Sequence, residues 1–278
     1  MTFSSCSRHK KRGVMSTNPA QIQSDEMQGS EPQSVSVQNV TIEYATRNRV
    51  VTPIRDLSFE LGASRFMCIL GPSGCGKTTL LNCLAGFLTP KSGTILVGGK
   101  PTIGRGHNRG IVFQDIAQLF PWRTARRNVE FGLEVRKVPA ARRREIALDF
   151  LRLVQLPNAG ESYPHQMSGG MQQRTAIARA LAYNPQVLLM DEPFAALDAM
   201  TRDDMQRQLT EIWQRTRKTV VYITHNVGEA VFLADTIMVM SSNGEIAAMI
   251  DNDIPRPRDP LGADFIELQR KVLAQLKH

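Results

Sequence analysis

FMCILGPSGCGKTTLLNCLAGF, residues 66–87, is the stretch whose reading decides the fold. FMCIL (66–70) is an unbroken apolar run of strand length, the composition of a strand covered on both faces. Glycines then break the run, and a helical pattern follows from about Lys77. In between, Gly71, Gly76, Lys77 and Thr78 satisfy G-x-x-x-x-G-K-[ST]. Glycines let the backbone turn tightly enough for several N–H groups to converge on one anion. The helix end behind them adds the positive pole of its dipole. On this reading Gly71, Pro72, Ser73, Gly74, Cys75, Gly76, Lys77, Thr78 and Thr79 cradle the phosphates of a nucleotide. Lys77 reaches the β- and γ-phosphates, and the Thr78 hydroxyl ligates Mg²⁺.

Working outward, VSVQNVTIEY (35–44) alternates like a half-buried strand, and residues 54–61 and GTILVGG (93–99) give further strands. Residues 125–158 carry helical periodicity, with Ala147, Leu148, Leu151 and Val154 on one face. VLLM (187–190), TVVYI (219–223) and TIMVM (236–240) are apolar strands separated by helical segments, and SSNGEI (241–246) reads as a hairpin turn. Strand–helix alternation predicts an α/β fold: a mainly parallel sheet core with an antiparallel β edge. The helix-rich block at about 115–180 reads as a subdomain inserted into it. Residues 1–34 are polar and aperiodic and are expected to be disordered, with Met15 as an alternative start. The main domain is placed at 35–250, followed by a short C-terminal tail at 251–278.

VLLMDE (187–192) supplies what a phosphate loop alone lacks, a strand ending in two carboxylates. Asp191 suits the Mg²⁺ shell, and Glu192 is placed to polarise an attacking water as general base. In MSGGMQQR (167–174), Ser168, Gly169 and Gly170 open a helix, a second anion-binding end in one chain. One nucleotide rarely needs two such ends from the same chain.

With these motifs the sequence resembles the ATP-binding subunits of ABC transporters over roughly residues 35–258. The resemblance implies a P-loop NTPase fold of the ABC ATPase type and makes Ser168–Gly170 the signature that meets ATP held by the other subunit of a head-to-tail homodimer. It assigns Gln114, in IVFQD (111–115), to Mg²⁺ contact and permease sensing, and Asp198, in AALD (195–198), to a loop facing the opposite subunit. His225, in YITHN (222–226), corresponds to the switch histidine that holds the γ-phosphate. Tyr44 is the candidate platform for adenine, with a core tyrosine as the alternative. LFPWRT (119–124), NVEFGLE (128–134) and DEPFAALDAMTRDDMQ (191–206) make the chain most similar to the ATPases of nitrate, sulfonate and taurine importers. Departures are Met167 for the usual leucine, Asn226 and Gly228 where acidic residues are commoner, and GASRF (62–66) without the familiar Gly-Glu. None removes a group the chemistry needs. The resemblance implies membrane permease subunits as partners, an extracytoplasmic solute-binding protein acting through them, and a place at the cytoplasmic face of the membrane. Phe120 and Trp122 are expected to line the permease-docking groove, with core burial as the alternative.

Bulk properties are compatible with this. Formal net charge is +8, which suits an anionic partner: nucleic acid, a membrane face or phosphates. A soluble ABC ATPase acting on nucleic acid is the alternative reading. It is disfavoured because Lys77 and Ser168 lie only 91 residues apart without sustained heptads, and because there is a single phosphate loop. The four cysteines have no metal-ligand spacing, and no apolar run is long enough to span a bilayer. GRGHNRG (104–110) resembles a dinucleotide fingerprint only superficially and is read as a loop. Cys75 is read as a loop residue without a base beside it.

Overall fold

The computed structural model describes residues 31–45, 50–102, 104–114 and 118–276. The disorder expected for residues 1–34 falls almost wholly outside them. Residues 31–34 are described and carry no regular secondary structure.

Two sheets organise the chain. A six-stranded sheet has the order β10-β9-β3-β8-β7-β6, built from β3 (Phe66–Leu70), β6 (Arg109–Val112), β7 (Val187–Asp191), β8 (Thr219–Ile223), β9 (Thr236–Met240) and β10 (Ile246–Asp251). All its pairings are parallel except β9–β10. Strands β3, β7, β8 and β9 are buried at every position, which is why they read as continuous apolar runs. An antiparallel sheet of order β2-β1-β4-β5 comprises β1 (Val35–Ala45), β2 (Val50–Leu61), β4 (Ser92–Val97) and β5 (Lys100–Pro101). Strand β2 starts four residues before the sequence pattern suggests, because Val50 and Val51 pair with Ala45 and Tyr44 while remaining partly exposed. The GRGHNRG segment is a loop only as far as Asn108; Arg109 and Gly110 open β6.

Helix α1 (Lys77–Leu84) packs with the inner faces of both sheets in one apolar cluster containing Ile42, Ile54, Ile69, Leu80, Leu81 and Leu189. A second cluster covers the other face, where α4 (Gly169–Ala182), α5 (Ala199–Thr216) and α6 (Val227–Leu233) bury Ile177, Leu181, Leu209, Ile212 and Val231. Between β6 and β7 lie α2 (Ala125–Val135), α3 (Ala140–Leu153) and α4. The periodic block 125–158 is therefore two helices, broken where Pro139 occupies the cap position of α3. Asn128, fully buried, fixes the turn before α2: its Oδ1 accepts from Phe120 N at 2.8 Å while Nδ2 donates to the carbonyls of Phe120, Arg123 and Thr124. That turn leaves Trp122 72% exposed, so Trp122 is not a core residue.

The segment after β10 is ordered and docked. Arg258, buried, donates to the carbonyls of Val231, Phe232 and Ala234 at the end of α6, and Asn252 Nδ2 adds bonds to Val231 and Ala234. A cation at a helix C-terminus meets both the unpaired carbonyls and the dipole. Helix α7 (Ala263–Gln275) then buries Phe265 and Val272.

Candidate nucleotide site

Parallel pairing sets the site. Ile69 of β3 and Asp191 of β7 both stand opposite Ile223 of β8, so the loops leaving these three strands emerge side by side. Glu192 N donates to Ile223 O at 3.0 Å and Thr224 N to Ile69 O at 3.2 Å, extending the ladder one residue beyond each strand. Sites of open parallel sheets form at such carboxyl ends.

After β3 the loop turns through Gly74 (φ +83°) and Gly76 (φ +103°). A Cβ at Gly76 would stand 2.8 Å from Ile54 Cδ1 and 2.9 Å from Pro53 O, so both backbone conformation and space demand glycine there. Lys77, buried, donates its ammonium to the carbonyls of Gly71 and Pro72 at 2.8 Å each. Cys75 is buried, with Sγ 3.9 Å from Lys77 Nζ, so a cation rather than a base adjoins it.

Thr78, Asp191, Glu192 and Lys77 form one electrostatic group. Burial pushes the Asp191 carboxyl above its ordinary pKa, a hydrogen bond from Thr78 and the charge of Lys77 oppose that shift, and Glu192 reinforces it. A buried carboxylate bonded to a hydroxyl, with a second carboxylate beside it, is an oxygen donor set of the kind hard cations take. Glu192 has φ +42°, a conformation costly for a residue with a side chain. Its Oε2 lies 2.9 Å from His225 Nδ1. The carboxylate and histidine predicted from separate motifs are thus in direct contact.

Sequence reasoning missed what holds His225. Glu229 is buried and accepts hydrogen bonds from Tyr222 Oη at 2.8 Å and from Thr224 Oγ1. Asn226 Oδ1 accepts from Glu229 N at 3.1 Å, and Thr224 Oγ1 accepts from Asn226 N at 3.0 Å. The residues on both sides of His225 are therefore anchored. Burial raises the Glu229 pKa, with its hydrogen bonds opposing the shift. The capping pattern Asn-x-x-Glu at 226–229 was the available signal.

The remaining candidates lie elsewhere. Ser168 caps α4, its Oγ accepting from Met171 N at 3.3 Å. Gly170 faces the start of α5, where an added Cβ would meet Thr201 Cγ2 at 3.0 Å. Asp198 caps α5 by accepting from Thr201 N at 3.0 Å, which holds its carboxyl below the ordinary range. Gln114, just beyond β6, is exposed, and residues 115–117 after it lie outside the described ones. Tyr44, near the end of β1, is 43% exposed and so not a core tyrosine.

The fold and this cluster define a P-loop ATPase. The family model for ABC transporters matches residues 54–195, and one for the P-loop domain of ABC ATPases matches 144–255. An uncharacterised ABC transporter ATP-binding protein of Methanocaldococcus jannaschii is 45% identical over 87% of this chain and 91% of its own length. The taurine import ATP-binding protein TauB of Pseudomonas putida is 51% identical over 69% of this chain and 73% of its own. Among solved structures, the ATP-binding cassette MJ0796, a dimer in a post-hydrolysis state bound to ADP and Pi, superposes with TM-score 0.71 at 31% identity, covering 80% of this chain and all of that one. The chain belongs to the ATP-binding subunits of ABC transporters, and it is an ATPase. Among the described residues no helix is long and apolar enough to cross a membrane.

Proposed function

We propose that this chain energises an importer of a small solute of the taurine, sulfonate or nitrate kind, working as a head-to-tail homodimer beneath separate permease subunits. An extracytoplasmic binding protein delivers the solute, and the ATPase sits peripherally on the cytoplasmic face. The observation that carries the mechanism is the 2.9 Å contact between Glu192 and His225 beside the loop formed by Gly71–Thr79. The name of the relative TauB supports the solute class.

In this mechanism the backbone amides of the loop and Lys77 bind the β- and γ-phosphates of ATP, and Tyr44 stacks on adenine. Thr78, Asp191 and Gln114 would hold Mg²⁺, whose chemistry is to neutralise charge on the phosphate oxygens. Glu192 orients water and takes its proton. His225, anchored through Thr224 and Glu229, contacts the γ-phosphate while its Nδ1 faces Glu192. Ser168, Gly169 and Gly170 of the other copy close over the same γ-phosphate, and Asp198 faces across the interface. ATP thus holds the copies together, and hydrolysis releases them. Permease loops are moved through the exposed aromatic wall where Phe120 packs on Phe131 (centroids 4.7 Å) and Trp122 (5.6 Å).

Glu192→Gln tests this. The amide is nearly isosteric but cannot take a proton, so hydrolysis should fall by about 10²–10⁴-fold. With Mg-ATP the variant should elute as a dimer in size-exclusion chromatography. A monomer, or hydrolysis at the wild-type rate, would remove Glu192 from the mechanism. Uptake of labelled taurine into vesicles holding the reconstituted permease, against a nitrate control, tests the solute class.

A further inference from the structure

Gln118 was not singled out by any motif, yet it joins three parts of the site, two through its carboxamide and one through its backbone carbonyl. Its Oε1 accepts from Phe113 N at 3.1 Å and its Nε2 donates to Phe113 O at 3.0 Å. The carboxamide therefore pairs with both backbone groups of the residue before Gln114, as a neighbouring strand would. The same Nε2 reaches Gln173 Oε1 on α4 at 3.4 Å. The Gln118 carbonyl accepts from Arg179 Nη1 at 2.9 Å, and the Arg179 guanidinium lies 5.6 Å from the centre of the Phe120 ring. One residue thus touches the strand end before Gln114, the helix that begins at Ser168, and the arginine under the aromatic wall.

Gln173 is fully buried, and its Nε2 has no hydrogen-bond partner. Buried amide donors are almost always paired, so this one is free to take an acceptor that comes within reach. The two carboxamides already touch through their other ends. A small shift of Gln118 toward α4 would complete a reciprocal amide pair with Gln173 and give up the bonds to Phe113.

We infer that Gln118 is a positioning residue that couples Gln114 to the signature helix: doubly hydrogen-bonded to Phe113 it holds Gln114 at the end of β6, and doubly hydrogen-bonded to Gln173 it lets Gln114 go. This rests on the roles proposed for Gln114 and Ser168. Arg179 holds the Gln118 backbone carbonyl, which makes the exchange sensitive to the aromatic wall, so displacement of that wall would reach Gln114 and α4 through the same residue.

The test uses the full-length protein with Mg-ATP. Gln118→Met keeps the length of the side chain and removes its hydrogen bonds; kcat should fall about tenfold while KM for ATP stays within about twofold, the signature of lost positioning rather than lost binding. Trp122 is exposed and Trp213, the other tryptophan, is buried, so acrylamide quenching reports on Trp122. The wild type should show an ATP-dependent change in this quenching, and the change should vanish in Gln118→Met; no change in the wild type would itself overturn the coupling. Gln173→Leu removes the second pairing partner and should also abolish the Trp122 response, and the double variant should lose no more activity than Gln118→Met alone. Wild-type kcat and Trp122 response in Gln118→Met would overturn the inference, as would effects of the two substitutions that multiply, or a joint loss of KM, kcat and melting temperature. Gln114→Ala separates the two layers. If it is impaired while Gln118→Met is not, the coupling alone fails; if it matches the wild type, the role of Gln114 fails and the coupling with it.

Discussion

Helix α1 follows a glycine and helix α4 begins with one, and both are aimed at phosphate in the proposed mechanism, yet their first turns are finished differently. No side chain caps α1, whose cap position is Gly76 in a left-handed conformation. At α4 the Ser168 hydroxyl bonds Met171 N at 3.3 Å. Helices α5 and α6 are finished by Asp198 and Asn226, bonded to Thr201 N and Glu229 N, and α2 by the Thr124 hydroxyl, bonded to Arg127 N at 3.4 Å. A helix end must satisfy its first N–H groups from somewhere. An end finished by a carboxylate has its electrostatic need met within the chain, so α5 offers an anion little. The uncapped end of α1 leaves that role to the phosphates. At α4 a neutral hydroxyl at the long end of the hydrogen-bond range can be exchanged, which suits a surface that meets its nucleotide only when two copies close.

The sharpest separation between the two ends comes from Gly76→Ala. The new Cβ meets Pro53 O and Ile54 Cδ1 below 3.0 Å, and φ +103° is hostile to any side chain. Strain of about 1–3 kcal/mol should appear in urea melts. Nucleotide affinity should fall about 5–150-fold as that strain displaces the loop amides, each ~1.4 kcal/mol being tenfold. A variant that binds fluorescent ATP like the wild type would show that the α1 end does not need its geometry.

Ser168→Arg probes the other end with a smaller effect on the monomer. Its cap bond is worth about 1 kcal/mol, and losing it should cost little more than that in stability. ATP affinity of the single chain should not change, because the loop belongs to α1. In a Glu192→Gln background, however, the ATP-dependent dimer should disappear from size-exclusion profiles. Loss of monomer affinity instead would mean both ends serve one nucleotide within one chain.

The same contrast explains what could be read without coordinates. The β3–loop–α1 unit and the Asp191–Glu192 pair are contiguous in sequence, and each strand is an uninterrupted apolar run, so chemistry and periodicity coincide. The stripe of Ala147, Leu148, Leu151 and Val154 was visible for the same reason; Leu148 is half-buried and the other three are buried. What escaped is side-chain bonding across turns. Glu229 holding Tyr222 and Thr224, Gln118 holding Phe113, and Arg258 capping α6 have no period and involve residue types that are usually surface-exposed. The break between α2 and α3 was missed because both helices present apolar faces that keep the pattern running past Pro139. Asp198 was read only as facing another subunit, yet its carboxylate also caps the helix that follows.

The smallest effect expected concerns Asp191, and its sign distinguishes a residue kept for ligand from one kept for folding. Burial raises its pKa in the folded chain above the ordinary carboxylate value, and Glu192 adds to the shift. A carboxyl raised on folding favours the native state in its protonated form. The stabilisation it contributes is complete below the unfolded-state pKa and is lost as pH rises through the folded-state pKa. Above that, the ionised group is a net burden on the nucleotide-free chain. Asp191→Asn keeps the shape and the bond to Thr78 without the charge. Its melting temperature without nucleotide should match the wild type at the acid end of the stable range and exceed it by a few degrees once the wild-type carboxyl ionises, about 1 kcal/mol being worth 2–4 °C in a chain of this size. Mg-ATP should reverse the order, stabilising the wild type and leaving the variant unmoved. If Asp191→Asn instead melts lower at every pH, the carboxylate is a structural partner of Thr78, and the strain at this strand end is not held for the nucleotide.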